Sequence, residues 1–182
     1  MTSSFATVTE WKEPQALDLS RGDVSAIAVN VAKQLGYEPG APLEPIVKKL
    51  RGTLAYGEDD GGDSDSGSIR IGPDGFTIYI ALDTSPLRDR FTIAHELGHF
   101  VLHYLYPNQH KSANIKWLRA QRYGSGQVEY EANWFAAAFL MPTDIFRKKY
   151  KDFDGNQLRL ADYFKVSSQA VGVRAKSLGL GR

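Results

Sequence analysis

Residues 95–99 read His-Glu-Leu-Gly-His, and these residue types at this spacing could bind a metal ion and use it in catalysis. On a helix, His95 and His99 lie on one face, one turn apart, so both imidazoles can reach the same ion. Glu96 lies beside them, where it can take a proton from a water on that ion. The pattern is typical of a zinc-dependent peptidase, with His95 and His99 as ligands and Glu96 as the general base.

An exposed pair of histidines beside a solvated glutamate is the alternative interpretation of this segment. The flanking residues favour the metal site, because they are apolar nearly all round and predict a buried helix. Buried His and Glu side chains need partners, since burying an unpaired polar group costs about 2–7 kcal/mol. Three of the four histidines of the chain also fall in this segment. The apolar flanking residues are Phe91, Ile93, Ala94, Leu97, Phe100, Val101 and Leu102.

A third metal ligand must come from elsewhere, because a catalytic zinc usually has three protein ligands and a water. The segment 127–140 has helical periodicity and carries Glu129 and Glu131. Glu129 is the preferred ligand, since it shares a face with small side chains that would allow close approach to the metal helix. Asn133, one turn beyond Glu129, could orient a ligand. The alternative is that both glutamates are solvated first-turn residues favoured by the helix dipole.

The two remaining histidines are weaker candidates. His103 lies about 12 Å from His95 along the helix axis, which is too far for the same tetrahedral ion. We expect it to be a core histidine or a group that shapes the cleft. His110 lies in a predicted loop, from which it could reach the site and stabilise an oxyanion, but no feature of the sequence requires this.

Periodicity and turn residues predict an α+β fold in which these segments are helices around a small antiparallel sheet. Pro86 is expected to open the metal helix and Pro107 to close its segment. The other predicted elements are helices at 23–35, 42–50, 127–140, from 142, 156–164 and 167–178, strands at 53–56, 68–71 and 76–81, and a long loop at 107–126.

Composition favours one compact core with a small appended unit. The chain has 182 residues, 42% of them hydrophobic, and no cysteine, which excludes disulfides and cysteine zinc sites. The predicted division is a flexible arm at 1–20, a metallopeptidase-like core at 21–145 and a C-terminal helical subdomain at 146–182. No apolar run is long enough for a signal peptide or a membrane span, so a cytoplasmic protein is expected. The acidic segment 58–66 is interpreted as a solvated loop.

Charge is balanced overall but not locally. The net charge is +1, which argues against a whole-chain polyanion binder, whereas residues 147–182 contain nine Lys or Arg against three Asp. Residues 160–178 also have the pattern of a helix-turn-helix, so groove binding to DNA is conceivable. The favoured alternative is a helical subdomain that packs on the core and docks a protein substrate.

Three separated segments resemble the ImmA/IrrE-type metallopeptidases, a family of zincin-like regulatory proteases. They are residues 90–103 around the His-Glu-Leu-Gly-His motif, residues 129–142 and residues 160–174, within a match of roughly 45–180. Glu129 and Asn133 fit the family's Glu-x-x-x-Asp/Asn ligand pattern. The resemblance implies cleavage of a helix-turn-helix (Xre-type) repressor, often co-encoded, which derepresses stress-response or mobile-element genes.

The sequence therefore predicts a metal-dependent endopeptidase with a protein substrate. Zn²⁺ is the expected ion, and Mn²⁺ or another divalent ion is compatible, because two histidines and a carboxylate discriminate weakly between them. Direct DNA binding is the less favoured partner interaction. The alternative function is a DNA-binding or toxin–antitoxin-type regulator that has a metal site but no turnover.

Overall fold

The computed structural model describes residues 10–57, 67–121 and 126–180. Within them the helices are α1 (Arg21–Leu35), α2 (Glu44–Lys49), α3 (Pro86–Gly98), α4 (Tyr106–His110), α5 (Gln127–Leu140), α6 (Thr143–Asp152), α7 (Gln157–Phe164) and α8 (Ser168–Ser177). A π-helical turn, His99–Leu105, joins α3 to α4. The strands are β1 (Gly52–Tyr56), β2 (Ser68–Gly72), β3 (Gly75–Ile80) and β4 (Leu118–Gln121). The predicted acidic loop at 58–66 lies outside the described residues.

The architecture is α+β, as predicted, but the sheet is mixed rather than antiparallel. In the described part of the chain it has four strands in the order β1-β3-β2-β4. β1 runs parallel to β3, whereas β2 is antiparallel to both β3 and β4. A parallel neighbour needs a crossover connection, so β1 could not be placed from the hairpin pattern of β2 and β3 alone.

The prediction of a long loop at 107–126 was wrong. Most of α4 and all of β4 lie within this segment. Pro107 lies in the first turn of α4, where its missing N–H costs nothing, so it does not end the helical segment. β4 then pairs with β2 through the register Ile69↔Ala120 and Ile71↔Leu118. Four residues are too few to show a convincing alternation, which is why the strand was not recognised.

Residues 10–20 lie against the core. The backbone of Lys12 bonds to both neighbours of Leu118, donating to Trp117 O at 3.0 Å and accepting from Arg119 N at 2.9 Å. Ser20 then caps α1, because its hydroxyl oxygen accepts the N–H of Asp23 at 3.1 Å. The helix therefore begins at Arg21, two residues before the predicted start at residue 23.

Two local features fix α3, the helix that carries the histidines. Ser85 Oγ accepts the N–H of Arg88 at its N-terminus, and Pro86 supplies the preset backbone angle of a first helical turn. Arg90 then reaches other parts of the fold, donating to Ala41 O at 2.8 Å and to Lys165 O at 3.0 Å. The guanidinium thus ties α3 to the α1–α2 connection and to the turn between α7 and α8.

Helix α5 packs directly on α3, and the contact is close because Gly98 has no side chain. A Cβ built at Gly98 would lie 3.2 Å from the Cα and the carbonyl oxygen of Ala132 and from Cβ of Phe135. Ala132 and Phe135 are fully buried. The predicted close approach of these two helices is therefore present in the structure.

The C-terminal helices are joined to the core by a buried guanidinium. Arg174 of α8 is 3% exposed and donates to Met141 O, at the C-terminal end of α5, and to Thr143 Oγ1, both at 3.1 Å. A cation at the end of a helix interacts favourably with the helix dipole. Among the described residues, no helix is both long and apolar enough to cross a bilayer.

Gly98→Ala should destabilise the protein, whereas Gly172→Ala should stabilise it. The first methyl group would press on the backbone of Ala132, and overpacking typically costs about 1–3 kcal/mol. The second, inside α8, would have Gln157 Nε2 at 3.7 Å as its nearest neighbour and would gain up to ~1 kcal/mol of helix propensity. Urea unfolding of both variants tests this, and equal shifts in the same direction would contradict the close contact.

Candidate metal centre

Three potential ligand atoms converge between α3 and α5. The Nε2 atoms of His95 and His99 lie 3.1 Å apart. Glu129 places Oε2 3.2 Å from His95 Nε2 and Oε1 3.3 Å from His99 Nε2. Ligands about 2.0–2.1 Å from a tetrahedral zinc would lie about 3.3–3.4 Å from one another. The pairwise spacing of the two imidazole nitrogens and the carboxylate oxygens therefore fits one small divalent ion.

Helix geometry and helix packing each supply part of this arrangement. His95 and His99 are separated by one turn, so their rings project from the same face of the helical segment. Glu129 is in the first turn of α5 and faces them because α5 approaches α3 at Gly98. Both histidines are buried, and the Glu129 side chain is 12% exposed, so solvent reaches the centre from the side of Glu129.

The far side of the His95 ring contacts Asn133. His95 Nδ1 lies 3.0 Å from Asn133 Oδ1. An amide oxygen only accepts hydrogen bonds, so Nδ1 carries the proton and Nε2 presents its lone pair to the centre. The sequence suggested Asn133 as a residue that could orient a ligand, and the structure places it against His95.

The two glutamates of α5 belong to different clusters. Glu131 is fully buried and lies away from Glu129, with Oε2 3.0 Å from His103 Nε2. His103 Nδ1 is in turn 3.0 Å from His99 Nδ1. Glu129 thus joins the ligand atoms of His95 and His99, whereas Glu131 reaches the centre only through His103.

Hydrogen bonding sets the charge of these carboxylates. Burial alone would raise the pKa of Glu129, but its contacts with His95 and His99 outweigh burial and hold the pKa well below its usual range. Burial also opposes ionisation of Glu131, and contacts with His103 and the N–H groups of Leu17 and Leu19 lower its pKa. Burial lowers the pKa of His103 despite its contact with Glu131, and this disfavours the imidazolium form of the ring.

Glu96 is buried on α3 between the two histidines, with 1% of its surface exposed. Its carboxyl group lies beside the start of β2. A Cβ at Gly67 would lie 3.5 Å from Glu96 Oε1 and only 2.3 Å from Thr92 Cγ2. The absence of a side chain at Gly67 therefore lets this end of the strand close over the helix next to Glu96. The role of Glu96 as a base stays a prediction.

Sequence reasoning missed the pair formed by His103 and Glu131. The spacing of His103 from His99 was the available signal, because the two rings lie one turn apart. From the sequence, Glu131 is recognisable only as an alternative to Glu129 for the third metal ligand. His110 lies elsewhere, exposed at the end of α4 with its ring 4.5 Å from that of Tyr106.

The donor set fits a divalent cation chemically as well as geometrically. Two imidazole nitrogens and a carboxylate converge within a mostly buried space, and such a group is stable only when a proton or a metal cation lies among them. Within the part of the chain that the structure describes, His95, His99 and Glu129 form the group able to hold such an ion.

Comparisons with known proteins bear on the fold and the family of this chain. The chain has the fold of a solved Mycobacterium tuberculosis transcriptional regulator, with a TM-score of 0.63 and 19% identity, over 85% of this chain and 46% of that chain. This chain thus spans less than half of that protein. No curated protein matches the sequence significantly. Residues 57–176 match the family described as the IrrE N-terminal-like domain, a stretch that contains α3, α5 and nearly all of α8. The chain therefore belongs to the IrrE N-terminal-like family, as the sequence resemblance indicated.

Proposed function

We propose that this protein is a metal-dependent endopeptidase that cleaves a helix-turn-helix repressor. The observation that carries the proposal is the convergence of the His95 and His99 imidazoles on the Glu129 carboxylate: the two Nε2 atoms lie 3.1 Å apart, His95 Nε2 lies 3.2 Å from Oε2 and His99 Nε2 lies 3.3 Å from Oε1. Membership of the IrrE N-terminal-like family supports a peptidase, and the transcriptional regulator with the same fold supports a link to gene control.

The proposed chemistry assigns one task to each residue. His95, His99 and Glu129 hold the ion, with Zn²⁺ as the expected metal and Mn²⁺ compatible. A divalent ion bound there would supply an acidified water and polarise the scissile carbonyl. Glu96 accepts the proton of the attacking water and passes it to the leaving amine. Its burial and its place beside His95 and His99 support this assignment.

An apolar groove beside the centre is a suitable place for the protein substrate. It has a volume of about 650 Å³, and Asn133, which contacts His95 Nδ1, is one of its lining residues. Val173 of α8 lies in it with 64% of its surface exposed. We infer that the groove receives an apolar segment of the repressor. The groove runs between α3, α5 and α8, and its apolar lining includes Leu87, Phe91, Trp134, Ala137, Met141, Val166, Ala170 and Val173.

Direct DNA binding by α7 and α8 is less well supported. Arg174, in the middle of α8, points into the protein and is bound to Met141 O and Thr143 Oγ1. A recognition helix would instead present such a residue to base edges or phosphates. The helices are better explained as a subdomain that docks substrate. A repressor substrate would place the reaction in the cytoplasm.

The first prediction concerns metal binding. The purified protein should bind about one divalent ion, because the three ligands define one tetrahedral site. The double replacement His95→Ala/His99→Ala should abolish binding, and Glu129→Gln should weaken it by at least ~10-fold. Elemental analysis after reconstitution with zinc or manganese measures this. Protein that stays metal-free after reconstitution would exclude the site.

A second prediction concerns cleavage and the role of Glu96. The metal-loaded protein should fragment a co-encoded helix-turn-helix repressor, and Glu96→Gln should reduce the rate by ~10²-fold or more, since the positioned base is lost. Metal content should be unchanged because every ligand remains. Mass spectrometry of fragments and metal analysis on one preparation give both results. Undiminished cleavage would remove Glu96 from the mechanism, and an intact metal site without any product would favour the non-catalytic regulator.

A third prediction tests the groove. Val173→Glu should raise KM for the repressor on the order of tenfold, because burying a valine contributes about 1.5–3 kcal/mol and a buried charge opposes docking. The matched control is Leu158→Glu on α7, which lies outside the groove and is 74% exposed. The control should leave KM unchanged. Equal effects of the two substitutions would contradict docking in this groove.

A further inference from the structure

We propose that His103 and Glu131 act as a positioning relay that fixes the tautomer of His99 for metal binding, and that the backbone of residues 17–19 anchors this relay. The inference rests on the metal-binding part of the proposed function and deepens it. It assigns a role to a buried pair that contributes no atom to the group of His95, His99 and Glu129. The two residues are 1% and 0% exposed.

The proton positions along the relay follow from what each atom can do. A carboxylate accepts hydrogen bonds and cannot donate, so His103 Nε2 must carry a proton toward Glu131 Oε2 at 3.0 Å. In a neutral ring this leaves His103 Nδ1 as an acceptor. His99 Nδ1, 3.0 Å away, must then donate to it. The Nε2 of His99 is thereby left with the free lone pair that a metal ion requires.

A reversed relay would disable the site. If His103 donated through Nδ1, His99 would have to accept there and carry its proton on Nε2, between His95 and Glu129. That tautomer cannot bind a metal through Nε2. The carboxylate of Glu131 therefore controls, two hydrogen bonds away, whether His99 is a ligand. A carboxylate behind a ligand histidine also raises the basicity of that ligand.

The N-terminal arm holds the carboxylate in place. Glu131 Oε2 accepts the N–H of Leu17 at 3.0 Å, and Oε1 accepts the N–H of Leu19 at 3.3 Å. Asp18 between them has φ of 57°, in the left-handed region. Alternate N–H groups around a left-handed residue form a concave anion-binding nest. The nest supplies two hydrogen bonds to a fully buried carboxylate, and Oε2 also accepts the third, from His103.

A purely structural role is the alternative, in which the pair only fills the core between α5 and the π-helical turn. The double replacement His103→Leu/Glu131→Leu distinguishes the structural role from the positioning role. Replacing both partners by apolar groups of similar size avoids leaving either the carboxylate or the imidazole buried alone, and thermal unfolding shows whether the fold tolerates the loss of the acceptor for the Leu17 and Leu19 N–H groups. If the pair is only structural, this variant keeps its affinity for metal. If the pair positions His99, the affinity falls although the fold is intact.

The test measures the Kd of Zn²⁺ by competition with a chromophoric chelator, together with thermal unfolding of the metal-free protein. We expect Glu131→Gln and the double leucine variant to raise Kd by about 10–100-fold, the usual effect of removing an outer partner of a ligand histidine. The matched control is His110→Gln, which changes an exposed histidine and should leave Kd unaltered. Long-range ¹H–¹⁵N spectra of metal-free protein should show His99 protonated on Nδ1 in the wild type and shifted toward Nε2 in Glu131→Gln.

The arm is tested by a pair of substitutions at exposed Asp18. Asp18→Gly accepts the left-handed backbone and should leave Kd unchanged, whereas Asp18→Val disfavours it and should raise Kd several-fold. Equal zinc affinities of the wild type, Glu131→Gln and the double leucine variant would overturn this inference and leave the proposed function standing. Wild-type protein that binds no zinc would overturn both. Equal affinities of the two Asp18 variants would remove the arm from the relay.

Discussion

The distance between α3 and α5 is the constraint on which the metal centre depends. His95 and His99 are brought together by one turn of helix, but Glu129 joins them only because α5 lies against the backbone of α3. Gly98 permits that approach because it has no side chain. A Cβ at this position would lie only 3.2 Å from the Cα and the carbonyl oxygen of Ala132. A larger residue at either position would separate the helices and move the carboxylate away from the imidazoles. The centre is thus a consequence of helix packing as much as of the ligand residues.

Each of the two imidazoles is also oriented through its Nδ1 atom, and the partner of Nδ1 differs between His95 and His99. Asn133 Oδ1 accepts a hydrogen bond from His95 Nδ1, whereas the His103 ring, itself bonded to Glu131, accepts one from His99 Nδ1. Both arrangements leave Nε2 facing the centre. Asn133 and Glu131 both come from α5, so the helix that supplies the third ligand atom also supplies the groups that orient the two histidines. One helix therefore determines both the composition and the tautomers of the site.

Sequence reasoning succeeded where the determining interactions are local. The convergence of His95 and His99 is readable from their spacing on a helix, and the bounds of α5, α7 and α8 follow from periodicity and caps. It failed where residues far apart in the chain meet. The parallel pairing of β1 with β3 skips β2, and the four residues of β4 are defined by the partner strand rather than by their own pattern. The distance of His103 from His95 along the helix axis excludes it as a ligand of the same ion, but it does not reveal that His103 contacts His99. The contact of Glu131 with Leu17 spans 114 residues and has no local signature.

The same non-local contact gives the N-terminal segment a function that its composition does not suggest. Residues 10–20 are polar and extended, and on their own they would have no reason to adopt one conformation. They are held at two points, by the pairing of Lys12 with β4 and by the nest around Glu131. Because the second point is a buried carboxylate linked through His103 to His99, ordering of the arm and metal binding stabilise the same hydrogen-bond pattern. Each should therefore strengthen the other, since two events that favour one arrangement are thermodynamically coupled.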